Sequence, residues 1–276
     1  MKRIARFAGL WYPDNPQELS LIVAPHGSHK RTSEERGAYR FAVLPHAGLY
    51  YSGALIASFF SALSEDVDHV IILAPSHYHY LKPGVLYTSR FTESETPFGS
   101  VPTIPLGVSD SILDNQAIAD EHAVEMFLPF IAARGGLSVS YGLISQIPGQ
   151  DEVLAMAKKL SPLIGERTAV IASSDFTHYG RRFNYMPFGP RAVEKVVQND
   201  LLCAELLVKG DIADIIPTYT TGTICGIAPA MITSCLAHMQ GLSGHVAGHS
   251  TSLDKGGGPD DDFVSYVTVF WGEHHE

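Results

Sequence analysis

Short apolar runs that end directly in polar turns are the most regular feature of the hydrophobic pattern. Three of them are RFAVL at residues 40–44, HVIILA at 69–74 and AVIA at 169–172. Each run is too short for a helix, and after the first residues Arg40 and His69 its side chains are apolar with no polar alternation, which is typical of a strand buried on both faces. The pattern therefore predicts a sheet that is covered by helices on both sides.

Stretches with helical spacing alternate with these strands. Residues 52–63 form an apolar helical pattern with Ser52 as its predicted cap, and they lie between the first two strands. A second helix is predicted at 120–133, where Pro129 would kink or shorten it. The order strand, turn, helix, strand predicts βαβ units with parallel neighbours. We therefore expect one α/β domain over residues 1–276, with a central mostly parallel or mixed β-sheet flanked by helices.

The charge balance narrows the range of partners. The chain has 19 Lys and Arg against 29 Asp and Glu, so its net charge is −10 with the histidines neutral. Nucleic acids are bound by clustered basic residues, and the sequence has no such cluster beyond Arg181-Arg182. No apolar run approaches the length of a membrane span. We expect neither a nucleic-acid partner nor a membrane partner.

The cysteines favour a reducing compartment. Cys203, Cys225 and Cys235 are odd in number, and their spacing matches neither a disulfide framework nor a zinc finger. The N-terminal segment carries charges but no apolar core of signal-peptide length. The expected location is therefore the cytoplasm.

Each of the three predicted strands leads into a turn that carries a histidine. These histidines are His46, His77 and His178, and Asp175 precedes the last by three residues. A single histidine is more often structural than a ligand. Parallel neighbouring strands, however, end at one edge of a sheet, where ligands gather, so the three imidazoles are expected to converge. Neutral imidazole binds metals and also transfers protons near neutral pH, and the residues alone leave both roles open.

Two other segments carry chemistry. Cys225 lies in the loop TICG just before a predicted helix, where unpaired backbone N–H groups and the helix dipole favour a thiolate. A thiolate is both a soft metal ligand and a nucleophile. The segment Asp120-Glu121-His122 begins the stretch DEHAVEM. It is either an acidic first turn that complements a helix dipole, or it supplies a partner to a metal ligand or a substrate contact through Glu121 or His122.

Five separated motifs occur in one order along the chain: PHAG, PSH, DEHAVEMFLPF, SSDFTHYG and TICGIAP. Together they resemble the MEMO family, which is similar in fold to the class III extradiol dioxygenases. The resemblance extends from AGLWY near the N-terminus to the last predicted strand. It implies an α/β fold of the class III extradiol dioxygenase-like type.

The resemblance also implies roles for individual residues. The metal-site positions of the family correspond to His46, His77 and Cys225, with Asp175 and His178 lining the same pocket. In the related dioxygenases two histidines and a glutamate hold ferrous iron, and a further histidine handles protons; here His178 would take that role. Cys225 stands in place of the carboxylate and makes the site softer. The expected divalent metal is Fe(II), with Cu or Zn also accepted.

Three functions of different classes follow from these patterns. The first is a mononuclear non-heme iron (or copper) dependent oxidoreductase of unknown substrate, in which His178 is the acid/base and Asp175 orients a histidine or the substrate. The second is a metal-free hydrolase or transferase with Cys225 as nucleophile, His178 as base and Asp175 as the orienting carboxylate. The third is a non-catalytic adaptor that binds a peptide or a small molecule. The resemblance further implies a functional link to a radical S-adenosylmethionine protein.

Overall fold

The strands of the computed structural model form two sheets. The structure describes residues 1–24, 39–147, 149–189, 191–256 and 262–273. The strands within those ranges are β1 (Lys2–Arg3), β2 (Tyr39–Leu44), β3 (His69–Ala74), β4 (Leu86–Thr88), β5 (Glu93–Thr96), β6 (Gly99–Pro102), β7 (Ile112–Leu113), β8 (Ser138–Ile144), β9 (Thr168–Ser173), β10 (His178–Tyr179), β11 (Ser243–Thr251) and β12 (Phe263–Gly272). β1, β5 and β6 form a small sheet, and the other strands form a larger one.

The larger sheet is mixed and has a parallel centre. Its strands run in the order β10-β12-β2-β9-β3-β8-β4-β7, and β11 also pairs with β12. β2, β9, β3 and β8 are parallel to one another, with Val170 of β9 opposite Phe41 of β2 on one side and Ile71 of β3 on the other. β12 and β4 flank this centre in the antiparallel sense. The strands that carry the predicted site residues are therefore direct neighbours.

Helices cover both faces of this sheet. They are α1 (Pro16–Val23), α2 (Leu49–Ala62), α3 (Asn115–Asp120), α4 (His122–Glu125), α5 (Leu128–Arg134), α6 (Gln150–Leu160), α7 (Ala192–Lys209), α8 (Ile212–Tyr219) and α9 (Ile227–Met239). Alternate residues of β3 enter different cores: Val70 and Ile72 pack on the side of α2 and α5, whereas Ile71 and Leu73 pack on the side of α6 and α9. In the described parts of the chain no helix is both long and apolar enough to cross a membrane. The predicted α/β class, with a mixed sheet flanked by helices, is confirmed.

The helix after β2 begins earlier than its sequence pattern predicted. Its N-cap is Gly48, and the first backbone N–H of the helix, at Leu49, donates to the carbonyl oxygen of Trp11 at 2.9 Å. Ser52 lies inside the first turn, where its hydroxyl donates to the carbonyl of Ala47. The prediction of a Ser52 cap was wrong. The backbone carbonyl of Trp11, in the N-terminal segment, accepts the hydrogen bond from the first backbone N–H of the helix instead.

The stretch 120–133 forms three short helices instead of one. α3 stops before Glu121, α4 covers only four residues, and α5 has Pro129 in its first turn. Glu121 has extended backbone angles (φ −92°, ψ 120°), and its side chain accepts a hydrogen bond from the backbone N–H of Ala123. The predicted helix is interrupted, but the break lies at Glu121, which caps a new helix, and Pro129 lies in the first turn of α5 instead of kinking a longer helix. This break turns Glu121 and His122 into the protein interior, where both are buried.

A buried ion pair fastens the N-terminal segment to α4. Arg3 and Glu125 are fully buried, with 2.6 Å between Nη1 and Oε2. Glu125 Oε2 also accepts from the backbone N–H of Arg6 at 3.1 Å. Its Oε1 accepts from the backbone N–H of Phe7 at 2.8 Å and from the Tyr12 hydroxyl at 2.7 Å. Each carboxylate oxygen thus accepts two hydrogen bonds, which is the condition under which a buried charge is tolerated.

We predict that Glu125→Gln strongly destabilises the fold. The substitution keeps the size of the side chain but leaves Arg3 as an unpaired buried charge, which costs about 3–5 kcal/mol of the free energy of unfolding. Urea denaturation followed by circular dichroism measures the change. The matched control is Lys2→Met, because the ion pair between Lys2 and Glu95 (3.3 Å) is exposed and is worth less than about 1 kcal/mol. Equal losses in the two variants would contradict the prediction.

Candidate metal centre

Three imidazole rings meet at the edge of the sheet where β2 and β3 end. His46 follows β2, His77 follows β3, and α4 brings His122 to the same place. The ring centroids are 5.0 Å apart for His46 and His77, 5.2 Å for His46 and His122, and 4.5 Å for His77 and His122. One ligand nitrogen of each ring lies within 4.8 Å of those of the other two. We call these three residues the histidine cluster.

His46 is the most deeply buried member of the histidine cluster. Its Nδ1 lies 2.7 Å from the hydroxyl oxygen of Ser173, at the end of β9. Burial lowers the pKa of His46 well below its ordinary value of 6.5, and the neighbouring charges of His77 and His122 lower it further. The ring is therefore neutral at neutral pH, which is the form that binds a metal.

Glu121 holds the His77 ring in place. Its Oε2 accepts from the backbone N–H of His77 at 2.6 Å, and its Oε1 lies 2.9 Å from His77 Nδ1. Burial by itself raises the pKa of Glu121, but the close imidazole of His122 and the hydrogen bonds from His77 outweigh burial and lower the pKa to about 2. Glu121 is therefore a carboxylate that accepts a hydrogen from Nδ1. A carboxylate that orients an imidazole in this way is the usual partner of a metal-binding histidine.

His122 is buried with one ring nitrogen poorly satisfied. Its Nδ1 lies 3.1 Å from Glu121 Oε1, but among the described residues this nitrogen has no partner with good hydrogen-bond geometry. We regard the contact with Glu121 as an electrostatic one. The face of the ring packs against Trp11 of the N-terminal segment, with 4.1 Å between the centroids. Buried polar atoms without a partner are rare, so His122 Nδ1 is a position where a ligand would be favourable.

Cys225 lies beside the histidine cluster. Its Sγ is 3.2 Å from His46 Nε2 and 3.6 Å from the carbonyl oxygen of Asp175. Burial raises the pKa of the Cys225 thiol well above its ordinary value of 9.0, and the Asp175 carboxyl raises it further. In the metal-free protein the sulfur therefore keeps its proton at neutral pH, and the carbonyl oxygen of Asp175 and His46 Nε2 are both within reach of the thiol. A bound metal ion would be needed to remove that proton.

The side chain of Asp175 holds the turn after β2 by accepting hydrogen bonds from the backbone of that turn. Its Oδ1 accepts from the backbone N–H of His46 at 2.8 Å and of Ala47 at 3.2 Å. Burial raises the pKa of Asp175, while the charge of His178 and the hydrogen bond from His46 act in the opposite direction. Asp175 thus fixes the backbone that carries His46.

His178 is held so that one ring nitrogen is defined as a donor. Its Nδ1 lies 3.0 Å from the carbonyl oxygen of Thr223 and 3.1 Å from that of Phe176. Carbonyl oxygens only accept, so the hydrogen of the neutral ring is on Nδ1 and the lone pair is on Nε2. The Phe183 ring packs edge-on against the imidazole at 5.1 Å. His178 is therefore held with Nε2 able to accept a proton.

The turn between Asp175 and His178 is anchored by a residue of α7. Asp200 Oδ1 accepts from the Thr177 hydroxyl at 2.5 Å, and its Oδ2 accepts from the Thr177 backbone N–H at 3.2 Å. Nothing in the local pattern of α7 distinguishes this carboxylate from the other polar residues of the helix, so sequence reasoning missed it. Sequence reasoning also missed the role of Ser173, which looks like the last residue of an ordinary strand.

The fold and the histidine cluster define an α/β protein with a candidate metal site at the carboxyl edge of its sheet. A family model described as Memo-like protein matches residues 3–270. The chain is 30% identical to a MEMO1 family protein of Saccharolobus solfataricus over 298 aligned positions, which cover 99% of this chain and 100% of that protein.

Other relatives agree with this match. A MEMO1 family protein of Saccharolobus islandicus is also 30% identical, again with 99% of this chain and 100% of the relative covered. A MEMO1 family protein of Pyrococcus horikoshii is 30% identical over 215 positions, which cover 70% of this chain and 71% of that protein. The chain belongs to the Memo-like protein family, and the resemblance recognised in its sequence motifs is confirmed.

We predict that Gly226→Ala displaces Cys225. A Cβ at this glycine would lie 2.1 Å from the carbonyl oxygen of Ser173 and 2.6 Å from Ser174 Cβ, so the loop would have to move away from β9. We expect a loss of about 1–3 kcal/mol in the free energy of unfolding. The thiol should also react faster with iodoacetamide, because burial raises its pKa. Urea denaturation and the rate of Cys225 alkylation measure the two effects.

The matched control for this variant is Gly222→Ala in the same loop. There the nearest atom to an added Cβ is the carbonyl oxygen of Tyr219, at an ordinary contact distance of 3.4 Å. If Gly226→Ala had the same stability and the same Cys225 alkylation rate as the control, the close approach of Gly226 to the end of β9 would be contradicted.

We predict that Asp200→Asn changes how stability depends on pH. Burial raises the pKa of Asp200 to about 6, against the lowering effect of its hydrogen bonds with Thr177 and Ser265. The folded state therefore binds this proton more tightly than the unfolded state, whose pKa is about 3.9. The resulting stabilisation is complete below about pH 4 and is lost as the pH rises through about 6, and it amounts to at most roughly 3 kcal/mol.

Urea denaturation at a series of pH values from 4 to 8 tests this difference. The wild type should lose stability over that range relative to Asp200→Asn, in which the titrating group is absent. Glu205→Gln, at an exposed position of the same helix, is the control and should follow the wild type. Parallel curves for the wild type and Asp200→Asn would show that Asp200 does not titrate as described.

Proposed function

We propose that this protein binds a single divalent transition-metal ion at the histidine cluster and is a metal-dependent oxidoreductase of the extradiol dioxygenase-like type. One observation carries the proposal: three imidazoles from three separate segments place their ligand nitrogens within 4.8 Å of one another. Folding stability alone gives no reason to bring imidazole rings from three separate segments into contact with one another. Coordination of one ion does give such a reason, because imidazole is the commonest metal ligand.

The donor set fits a transition metal. His46 and His77 each have Nδ1 engaged, by Ser173 and by Glu121, so Nε2 is the atom that each ring would offer. His122 has a buried Nδ1 without a good partner among the described residues. Imidazole ligands suit Fe, Cu and Zn, whereas an all-oxygen site would favour Mg or Ca.

The third ligand has two candidates. The family resemblance proposes Cys225 beside His46 and His77, and the sulfur is 3.2 Å from His46 Nε2. The geometry adds His122, because it is the third member of the histidine cluster. Three histidines leave open positions on Fe(II), whereas a thiolate ligand would shift the preference toward Cu or Zn. We propose His46 and His77 as ligands in either case, with Fe(II) as the first expected metal.

The chain would contribute proton handling and shielding around the ion. A bound metal would act as a Lewis acid that polarises an oxygen of the substrate. His178, with its hydrogen on Nδ1, would accept or return a proton at Nε2. Asp175 would keep the His46 backbone in place. Trp11 covers one face of His122 and excludes water from that side of the site.

The metal-free alternative is less well supported. A Cys225 nucleophile needs a thiolate, and burial raises the thiol pKa well above its ordinary value. The imidazole in contact with the sulfur is that of His46, whereas His178 Nδ1 faces carbonyl oxygens. We therefore place Cys225 in the metal site. The three free cysteines, Cys203, Cys225 and Cys235, also support our proposal of a cytoplasmic location.

The metal site is tested by loading the protein without a histidine tag. The apoprotein is incubated anaerobically with Fe(II), Cu(II) or Zn(II), passed through a desalting column and measured by plasma mass spectrometry. We expect one ion per chain for the wild type. The affinity for the metal should fall at least about 100-fold in His46→Ala and His77→Ala. Removing a ligand weakens metal binding at least as much as removing a residue that hydrogen-bonds to a ligand. His79→Ala is the control, because His79 pairs with Asp120 outside the cluster.

The two candidates for the third ligand are compared in the same assay. The variant that weakens binding as strongly as His46→Ala identifies the ligand, whether it is His122→Ala or Cys225→Ala. Failure of the wild type to retain any of the three metals would contradict the metal proposal.

The oxidoreductase proposal is tested by oxygen uptake of the iron-loaded protein with catechol as probe. The uptake should be lost in His178→Ala while the iron content is unchanged.

A further inference from the structure

One buried hydroxyl joins two of the segments that form the histidine cluster. Ser173, the last residue of β9, is fully buried. Its Oγ donates to the carbonyl oxygen of Ala123 in α4 at 2.7 Å, and the same oxygen lies 2.7 Å from His46 Nδ1. Ala123 directly follows His122 in the chain. The Ser173 hydroxyl therefore touches the ring of one cluster member and the backbone next to another.

The hydrogen positions in this chain of contacts follow from the chemistry of the groups. A serine hydroxyl has a single hydrogen, and a carbonyl oxygen can only accept. The hydrogen of Ser173 is thus used by Ala123. The short contact with His46 must then be a hydrogen bond in the opposite direction, in which Nδ1–H donates to Oγ. The Ser173 oxygen has free lone pairs and can accept this hydrogen.

The far side of the His46 ring agrees with this assignment. A neutral imidazole with its hydrogen on Nδ1 has its lone pair on Nε2. His46 Nε2 faces Cys225, with 3.2 Å between nitrogen and sulfur. The lone pair therefore points to the side where the other ligand atoms gather. In the other tautomer Nε2 would carry a hydrogen, and the ring would have to give it up before it bound a metal.

We propose that Ser173 is a positioning residue that holds His46 in the Nδ1–H tautomer and so sets Nε2 as its metal-binding atom. Through Ala123, the same hydroxyl ties the His46 ring to the segment that carries His122. The functional meaning rests on the proposed metal site. The tautomer itself is a property of the metal-free protein and is measured without any metal.

Two groups could hold the tautomer, and they are distinguishable. Ser173 accepts from Nδ1, and the Cys225 thiol, which also contacts the carbonyl oxygen of Asp175, is the group within donor distance of Nε2. A neutral hydroxyl bond at 2.7 Å is the stronger of the two, because a thiol is a weak donor. We therefore expect the tautomer to survive removal of the sulfur and not to survive removal of the hydroxyl.

The experiment is a long-range proton–nitrogen NMR correlation on metal-free protein labelled with 15N-histidine at pH 7.5. The His46 signals are assigned by their disappearance in His46→Gln. The wild type should show a protonated Nδ1 and an unprotonated Nε2 for His46. An Nε2–H tautomer in the wild type would overturn the proposal whatever any variant does.

The variants separate the role of Ser173 from general stability. Ser173→Ala should lose the pure Nδ1–H tautomer and bind Zn(II) about 10–100-fold more weakly. Ser173→Thr retains the hydroxyl and should restore both. Ser52→Ala is the matched control, because this buried hydroxyl donates to the carbonyl of Ala47 and, within the part of the chain that the structure describes, forms no hydrogen bond with an imidazole.

Each outcome decides the question. A folded Ser173→Ala protein with an unchanged tautomer overturns the proposal, as does loss of the tautomer in Cys225→Ala with Ser173 intact. If Ser173→Ala does not fold, the wild type and Cys225→Ala still test the tautomer. A wild type with the assigned tautomer that retains none of Fe(II), Cu(II) and Zn(II) would refute the metal site and leave the assignment of the hydroxyl standing.

Discussion

The parallel alignment of β2, β9 and β3 is the constraint on which the rest of the structure depends. These strands are buried on both faces, so each of them must be apolar along its length, and polar residues are confined to the positions where the strands end. Because the strands run in the same direction, those ends coincide at one edge. Histidines and carboxylates that are far apart in the chain are thereby forced into one small volume.

The buried carboxylates around this volume have different tasks, and their environments differ accordingly. Glu121 faces two imidazoles, and its pKa is lowered to about 2, so it is an anion that orients a ring. Asp175 and Asp200 instead accept hydrogen bonds from backbone N–H groups and hydroxyls, and burial raises the pKa of both. The first acts on the side chain of His77, and the other two shape the backbone turns that carry His46 and His178.

The sequence was sufficient to predict those strands and site residues whose positions are determined by local interactions. Buried strands and their polar turns are visible as short patterns, so β2, β3, β9 and the turn positions of His46, His77 and His178 were predictable. The break at Glu121 was not, because it depends on a distant partner, the backbone and ring of His77. The contact of Ser173 with His46 was equally hidden, since a hydroxyl at the end of a strand has no distinguishing pattern. The cap of α2 failed for the same reason, because Trp11 supplies it.

The pairing of residues from opposite parts of the chain has a consequence for how the protein is made. Cys225 meets His46 across 179 positions of sequence, and Arg3 meets Glu125 across 122. Contacts of this separation form late, because closing such long loops costs entropy that is recovered only when the sheet is nearly complete. The histidine cluster is therefore assembled by the finished fold, and a metal ion that binds at the proposed site would meet scattered histidines in the nascent chain. Metallation is expected to follow folding rather than guide it.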